Sequence, residues 1–365
     1  MEAKRTLVQD PFFSVCIPQY NRTSFLMETC RSLARQTFTS FELCISDDCS
    51  TDGREPELLG FLEQSGMSFI YKKRERNGRY DGNLRSAIGL AKGRYCFLLG
   101  NDDALASDKT LEELHSDLQK FNATGVVITN YEDFLSASPF KRVRQTNLIA
   151  GSPRVAVNCF RNFSFVSGIL LDRERAQHHA TDRWDGSEMY QMYIGCRMLA
   201  EGKPLYCLNK STIRKDIRLA GEQVDSYALK ERLHPCPIVE RRLPMNGIGR
   251  LVADAIAPYE DLLQRQQSVL DIVRQLYLFT YPFWIVEYRR VQSWRYALGI
   301  CLGMRPRNVL EGIDLAWYRR GRLRLVYGGV TLAGLVVPIF LFNGMKKYLY
   351  TIAKAFKAAG GRRAT

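Results

Sequence analysis

Residues 11–53, PFFSVCIPQYNRTSFLMETCRSLARQTFTSFELCISDDCSTDG, hold two short apolar runs separated by one longer amphipathic run. FFSVCIP and FELCISD read as buried strands, and 24–36, SFLMETCRSLARQ, reads as a helix with Ser24 as its N-cap. Strand, helix, strand in that order predicts a parallel crossover, since parallel neighbours need a long connection. The pattern then repeats. REPELLGFLEQSG predicts a helix closed by Gly66, MSFIYKK a third strand, GNLRSAIGLAKG a helix ended by Gly93, and RYCFLLG a fourth strand. The expected fold is a doubly wound, mostly parallel α/β sheet.

Ligands of such sheets sit at the carboxyl ends of the strands. PQYN after the first strand, SDDCSTDG after the second and GNDD after the fourth therefore face one crevice. Further along, 109–121 predicts a helix, GVVITNY and FVSGILLD strands, 186–202 a helix stopped by Gly202, and PLYCLN a short strand. The charged, proline-rich stretch 203–250 closes this domain near residue 240, giving domains 1–240 and 241–365.

The 365 residues, 46% hydrophobic and 25% charged, suffice for one large domain and an appendage and exclude a disordered tail. A net charge of +14 suits anionic partners: phosphorylated metabolites, nucleic acid or an anionic membrane surface. Much of the excess lies in 319–363 rather than beside aromatics, which disfavours nucleic acid. The ten cysteines form no C-x-x-C pair and several lie in apolar runs, which predicts buried thiols in a reducing compartment. The N-terminus carries no recognisable signal peptide.

The last third changes character. LYLFTYPFWIVEY, 276–288, is aromatic and apolar, and LVYGGVTLAGLVVPIFLF, 325–342, has no charge in 18 positions. Basic, aromatic flanks on both sides of 325–342 predict a C-terminal helical region that associates with a membrane. A buried core helix is the alternative, because the run only reaches the low end of a spanning length. Gly328, Gly329, Gly334 and Pro338 also allow an in-plane or re-entrant segment.

Adjacent carboxylates such as Asp102 and Asp103 can share a proton, ligate a hard cation or cap a helix. Neighbouring residues normally point different ways, so metal and hydroxyl binding suit them better than proton sharing. As an isolated motif, NDD is a solvated turn with Asp103 capping the next helix. It is not isolated. FSVCIPQYNR, FELCISDDCSTDG, AIGLAKGRYCFLLGNDD and a later GSEMY, in this order over residues 11–215, resemble the family 2 glycosyltransferases of the GT-A fold.

That resemblance implies roles position by position. Pro18, Tyr20 and Asn21 match the nucleobase and ribose contacts, and a tyrosine face can stack. Asp48 matches the acid that hydrogen-bonds the base, with Asp47 bracing the loop. Asn101, Asp102 and Asp103 occupy the family's DxD place: Asn101 stands for the first acid, Asp102 matches the ribose contact and Asp103 the ligand of Mg²⁺ or Mn²⁺. Glu188 matches the general base, with Asp182 and Asp185 as competitors and a first-turn helix acid as the plain alternative. Arg85 or Arg79 is a candidate for the diphosphate, as are Arg214, Lys215 and Arg218 from a mobile loop. His178, His179 and His234 are weak candidates for a third metal ligand.

The implied activity is transfer of one sugar, of hexosyltransferase type, from a nucleoside-diphosphate sugar (UDP, GDP or dTDP) to a hydroxyl of a lipid-linked or membrane-proximal saccharide. The expected reaction is metal-dependent and inverting. The expected setting is the cytoplasmic face of the cell membrane, in bacterial O-antigen or capsule synthesis. Processive synthases carry a QxxRW motif that QSWRY at 292–296 and DRW at 182–184 do not reproduce. A nucleotide-sugar-binding scaffold without activity is the rival reading.

Overall fold

The computed structural model describes residues 2–5, 8–121, 125–222, 244–291, 293–341 and 344. The chain forms two compact units, Met1–Tyr227 and Ala228–Thr365, and the boundary expected near 240 lies outside the described residues.

The first unit is an α/β domain built on one sheet. Its strands are β1 (Glu2–Arg5), β2 (Phe13–Gln19), β3 (Phe41–Asp47), β4 (Ser68–Lys73), β5 (Tyr95–Leu98), β6 (Ala104–Leu105), β7 (Val126–Asp133), β8 (Pro139–Phe140), β9 (Asn147–Ile149), β10 (Ile169–Asp172) and β11 (Leu205–Lys215). Its helices are α1 (Thr23–Ala34), α2 (Glu55–Gln64), α3 (Arg79–Leu90), α4 (Thr110–Phe121), α5 (Pro153–Cys159), α6 (Arg173–His178) and α7 (Tyr190–Ala200). The sheet order is β1-β4-β3-β2-β5-β10-β7-β11-β6.

β4, β3, β2 and β5 are parallel, as expected from the crossovers. The rest corrects the expectation of a mostly parallel sheet, because β10 runs antiparallel to both β5 and β7 and the sheet is mixed. Residues 125–172 supply β7 and β10 with two small strands and a short helix between them, and β10 enters between β5 and β7. A single strand period says nothing about direction, so the sequence pattern could not report this reversal.

The core explains the strand identities. Phe13, Val15 and Ile17 of β2 are fully buried in one cluster with Leu43, Ile45, Phe69 and Phe97, each worth about 1.5–3 kcal/mol on burial. α1 begins at Thr23 with Arg22 as N-cap, so Ser24 lies inside the helix and not at its cap. α3 ends at Leu90, before Gly93. Gly93 is required for a different reason: a Cβ there would lie 2.8 Å from the Phe13 carbonyl carbon and the Ser14 nitrogen.

The second unit is helical: Pro244–Ile256, Leu262–Phe279, Tyr281–Val291, Trp294–Gly303, Pro306–Val309 and Trp317–Val336. Asp261 caps the second of these in a reciprocal capping box with Gln264. The aromatic stretch 276–288 supplies its core, where the Tyr277 hydroxyl donates to the Met304 carbonyl (2.8 Å) and Tyr281 pairs with Thr331 (2.7 Å). The apolar run 325–342 starts inside a helix that begins at Trp317 and stops at Val336, two residues before Pro338. Among the described residues no helix is long and apolar enough to cross a membrane.

Candidate active site at the carboxyl ends of the strands

Gln19, the last residue of β2, ties the crevice together although nothing in the sequence pattern marked it. Its backbone carbonyl accepts from the Asp48 amide and from Asn83 Nδ2, both at 2.9 Å. Its side chain donates to Thr23 Oγ1 (3.1 Å) and accepts from Asn101 Nδ2 (2.6 Å). Two loops, at Asp48 and Asn101, and two helices, α1 and α3, are thus fixed to one fully buried residue. Asn101 acts here as a brace, which is why an amide can stand where an acid was expected.

The predicted base-binding residues come together beside it. Tyr20 presents an exposed ring, 47% accessible, just after Pro18, which pairs in register with Ser46 of β3. Asn21 adopts φ +47°, and its side-chain oxygen accepts from the Thr51 amide (2.5 Å). Asp47 braces its loop as expected, accepting from the Ser50 amide (2.7 Å) and the Tyr71 hydroxyl (2.8 Å). Asp48 is buried, and its Oδ1 accepts from Arg74 Nη1 (2.7 Å) and the Gly78 amide (2.8 Å).

The paired acids differ in exposure, and the difference runs against the division of labour expected from the resemblance. Asp103 is buried: Oδ2 accepts from the Ser167 hydroxyl and Oδ1 from the Asp216 amide (2.9 Å). Burial, then the charge of Asp102, pushes its carboxyl up to about 7. Asp102 keeps 21% of its side chain exposed, and its Oδ2 pairs with Arg22 Nη1 at 2.9 Å. Arg22 in turn lies over the Phe25 ring, 4.1 Å from the centroid. Asp102, not Asp103, is the more accessible carboxylate, because β11 turns back at Asp216 (φ +62°) and Ile217 donates its amide to the Asp102 carbonyl (2.8 Å). Ile217 is pinned there by packing on Phe25 and Ala104.

Glu188 precedes α7 and does not sit in its first turn. It holds φ +58°, a costly conformation for a residue with a side chain. The cause is Asp81, a fully buried acid at the start of α3. Its carboxylate accepts from the Glu188 amide (2.8 Å) and the Tyr190 amide (2.9 Å). Burial raises the Asp81 pKa, and the amides of Glu188, Tyr190 and Gly186 oppose that rise. Asp81→Ala orphans these amides, so it is expected to lower folding stability by about 3 kcal/mol, read as a shift in the urea midpoint. An unchanged midpoint would mean that the turn needs no such anchor.

Arg85, the candidate for the diphosphate, is engaged by groups of the fold itself. It forms a forked ion pair with Asp185 (2.5 and 2.8 Å) and donates to the Thr181 carbonyl (2.9 Å), so it fastens the 181–185 segment to α3. Asp185 is thereby removed as a competitor of Glu188. Arg214 pairs with Glu132 (3.1 Å) and Lys215 with Asp216 (2.9 Å), on a strand rather than a loose loop. His179 pairs with Glu201 (3.1 Å), and burial lowers its pKa. His234 lies outside the described residues. Among the described residues no cluster of three or more His, Cys, Asp or Glu side chains is placed to hold a metal ion.

An α/β domain with a mixed sheet, whose strand ends gather two acid pairs over one crevice, defines a GT-A-like domain. Residues 14–182 match the model of glycosyl transferase family 2, and the chain carries a domain of that family. A stretch of 97 residues is 39% identical to abequosyltransferase RfbV of Salmonella typhimurium strain LT2, covering 26% of this chain and 29% of that protein. Another of 177 residues is 27% identical to the amylovoran biosynthesis glycosyltransferase AmsB of Erwinia amylovora, covering 46% and 58%. The chain thus spans less than two thirds of either relative. Among solved structures, S. aureus TarS 1-349 in complex with UDP-GlcNAc shares the fold at a TM-score of 0.59 and 16% identity, over 88% of this chain and 90% of that one.

Proposed function

We propose that the protein transfers a single sugar from a nucleoside-diphosphate sugar to a hydroxyl of a lipid-linked or other membrane-proximal saccharide, with metal dependence and inversion. The observation that carries this reading is the convergence of two acids on Gly100. A Cβ at residue 100 would lie 3.1 Å from Asp102 Oδ1 and 3.0 Å from Asp103 Oδ2, so a side chain there would crowd both carboxylates.

An all-oxygen pair of acids fits Mg²⁺ or Mn²⁺, which are commonly held by one or two carboxylates plus substrate phosphates. Asp102 would be the principal ligand and Asp103 its buried partner. When bound, the ion supplies positive charge against the departing diphosphate. The chain's own residues do the rest. Tyr20 stacks on the base, Asp48 accepts its hydrogen bonds, and Arg22 stays beside Asp102 to limit repulsion. Glu188 takes the acceptor proton as the hydroxyl oxygen attacks the anomeric carbon in line, which inverts that centre.

The test is a panel of UDP, GDP and dTDP sugars scored for released nucleotide with Mn²⁺ or Mg²⁺, UDP sugars first because TarS is a UDP-GlcNAc-bound neighbour. No release or transfer from any donor, with or without lipid-linked acceptor, would leave only the scaffold reading.

The proposed site of action is the cytoplasmic face of the cell membrane. Support comes from the helix Trp317–Val336, where Leu325, Leu332 and Val336 are 78%, 66% and 67% exposed at helical spacing near a run of arginines. Such a stripe suits a helix lying in the interface plane. Cys16, Cys30, Cys44, Cys96 and Cys196 are free buried thiols, consistent with a reducing compartment. Failure of the full chain to float with anionic lipid vesicles would remove the membrane from this account.

A further inference from the structure

Arg142 lies in the excursion between β8 and β9, distant in sequence from every residue that the motifs single out. Its neighbour Val143 is pinned by Asn130 on both sides, Val143 N to Asn130 Oδ1 (2.8 Å) and Asn130 Nδ2 to the Val143 carbonyl (3.0 Å). The Arg142 guanidinium is thereby directed inward over the touching rings of Tyr131 and Phe165, 5.2 and 5.5 Å from their centroids.

Its hydrogen bonds go to main-chain carbonyls. Nε donates to Thr129 (2.9 Å), Nη1 to Phe165 (2.7 Å) and Asn162 (3.3 Å), and Nη2 to Ser167 (2.7 Å). Desolvation pulls its pKa down to about 10, while the negative charge of Asp103 works the other way. A cation held this way is costly unless its fork geometry is needed. The four carbonyls show what it serves, since three of them belong to the turn 162–167 that leads into β10.

That turn ends on the carboxylate pair. Ser167 Oγ accepts from the Gly100 amide (2.8 Å) and donates to Asp103 Oδ2. Gly168 follows with φ +80°, and a Cβ there would meet Thr129 Oγ1 at 2.5 Å and Arg142 Nη2 at 2.9 Å. Arg142, the turn and Asp103 are therefore one packed unit with no slack.

We propose that Arg142 is a positioning residue: it fixes the 162–168 turn so that Ser167 holds Asp103 and the Gly100 amide at the spacing the carboxylate pair requires. The inference rests on the proposed transferase reading and adds a residue whose effect passes through Ser167. Lysine cannot replace it, because a single ammonium lacks the planar fork that reaches four carbonyls.

The experiment uses the full chain with Mn²⁺ and UDP as probes. Arg142→Lys, Ser167→Ala and their double variant are compared for Mn²⁺ binding by spin-label-free electron paramagnetic resonance, and for nucleotide release from the best donor. Arg142→Lys is expected to weaken Mn²⁺ binding about 10-fold and lower kcat by a similar factor, with donor KM nearly unchanged. The double variant is expected to fall no further than Ser167→Ala alone, since both act through one contact.

A purely structural arginine would shift the thermal midpoint and leave Mn²⁺ affinity and kcat as in wild type, and that result overturns the proposal. So does full multiplication of the two defects in the double variant. If Arg142→Lys does not fold, Arg142→Gln, uncharged with two donors, is read in the same way. A wild-type protein that binds Mn²⁺ and UDP but transfers nothing defeats the transferase reading, while the binding measurements still decide on Arg142.

Discussion

Asp102→Asn is expected to lower sugar transfer by about 10²- to 10³-fold while the thermal midpoint stays close to wild type. The size follows from the site: Asp102 is the accessible member of the pair, and asparagine keeps its shape but removes the charge that faces the ligand. Stability is spared because its partner Arg22 is partly exposed and keeps its packing on Phe25. Transfer within about threefold of wild type at saturating Mn²⁺ would show that Asp102 carries no part of the ion's charge balance.

Asp103 gives the same experiment a second readout. Its carboxyl titrates near 7 in the folded protein against 3.8 as a free side chain, with burial as the main cause and the Asp102 charge next. A raised acid binds more protons folded than unfolded, so its contribution to stability is full below about 4 and is lost as pH climbs towards 7. Without divalent ion the midpoint is therefore expected to fall over that window, and Mn²⁺ to restore more of it at pH 8 than at pH 5. Asp102→Asn relieves part of the repulsion and should flatten the fall.

Glu188→Gln is expected to reduce kcat by about 10²- to 10⁴-fold with donor KM little changed, which is the range for loss of a general base. Glutamine is close in size, and the left-handed turn is set by Asp81 through the backbone, so the variant should fold as wild type does. Donor hydrolysis and acceptor transfer are measured side by side. Equal transfer by the variant and the wild type would reassign the base, with Asp182 next, since Asp185 is bound to Arg85.

Much of the site was legible because its parts are strand ends. β2, β3 and β5 were readable from local apolar runs, and the residues following them had to share an edge once the crossovers were parallel. The loops that carry Tyr20, Asn21, Asp48, Asp102 and Asp103 were therefore expected on one edge from order alone, while the roles of these residues came from the family resemblance. Asp81 was not legible: it reads as an ordinary first-turn acid of α3, and only α7 arriving overhead turns it into an anchor. The ion pair of Arg85 was hidden for the same reason, since a basic residue between two acidic loops looks available until Asp185 is folded against it. Arg142 carried no motif, because its partners are backbone carbonyls that any sequence would supply.

The sequence by itself determined the α/β class, the parallel quartet and the edge on which the acids gather, because these depend on residue periodicity and on contacts between neighbouring elements. It also determined that two carboxylates would stand together at 102 and 103. Only the tertiary structure decided which of them faces outward, that Asn101 braces Gln19, that Arg85 is spent on Asp185, and that Glu188 is held in a strained turn. Each of those outcomes rests on hydrogen bonds or ion pairs spanning 64 to 113 residues of chain, from Ser167 to Asp103 and from Asp216 to Asp103. At such separations burial and partner choice are set by how the elements pack, and side chains of the same type at the same local position take opposite roles.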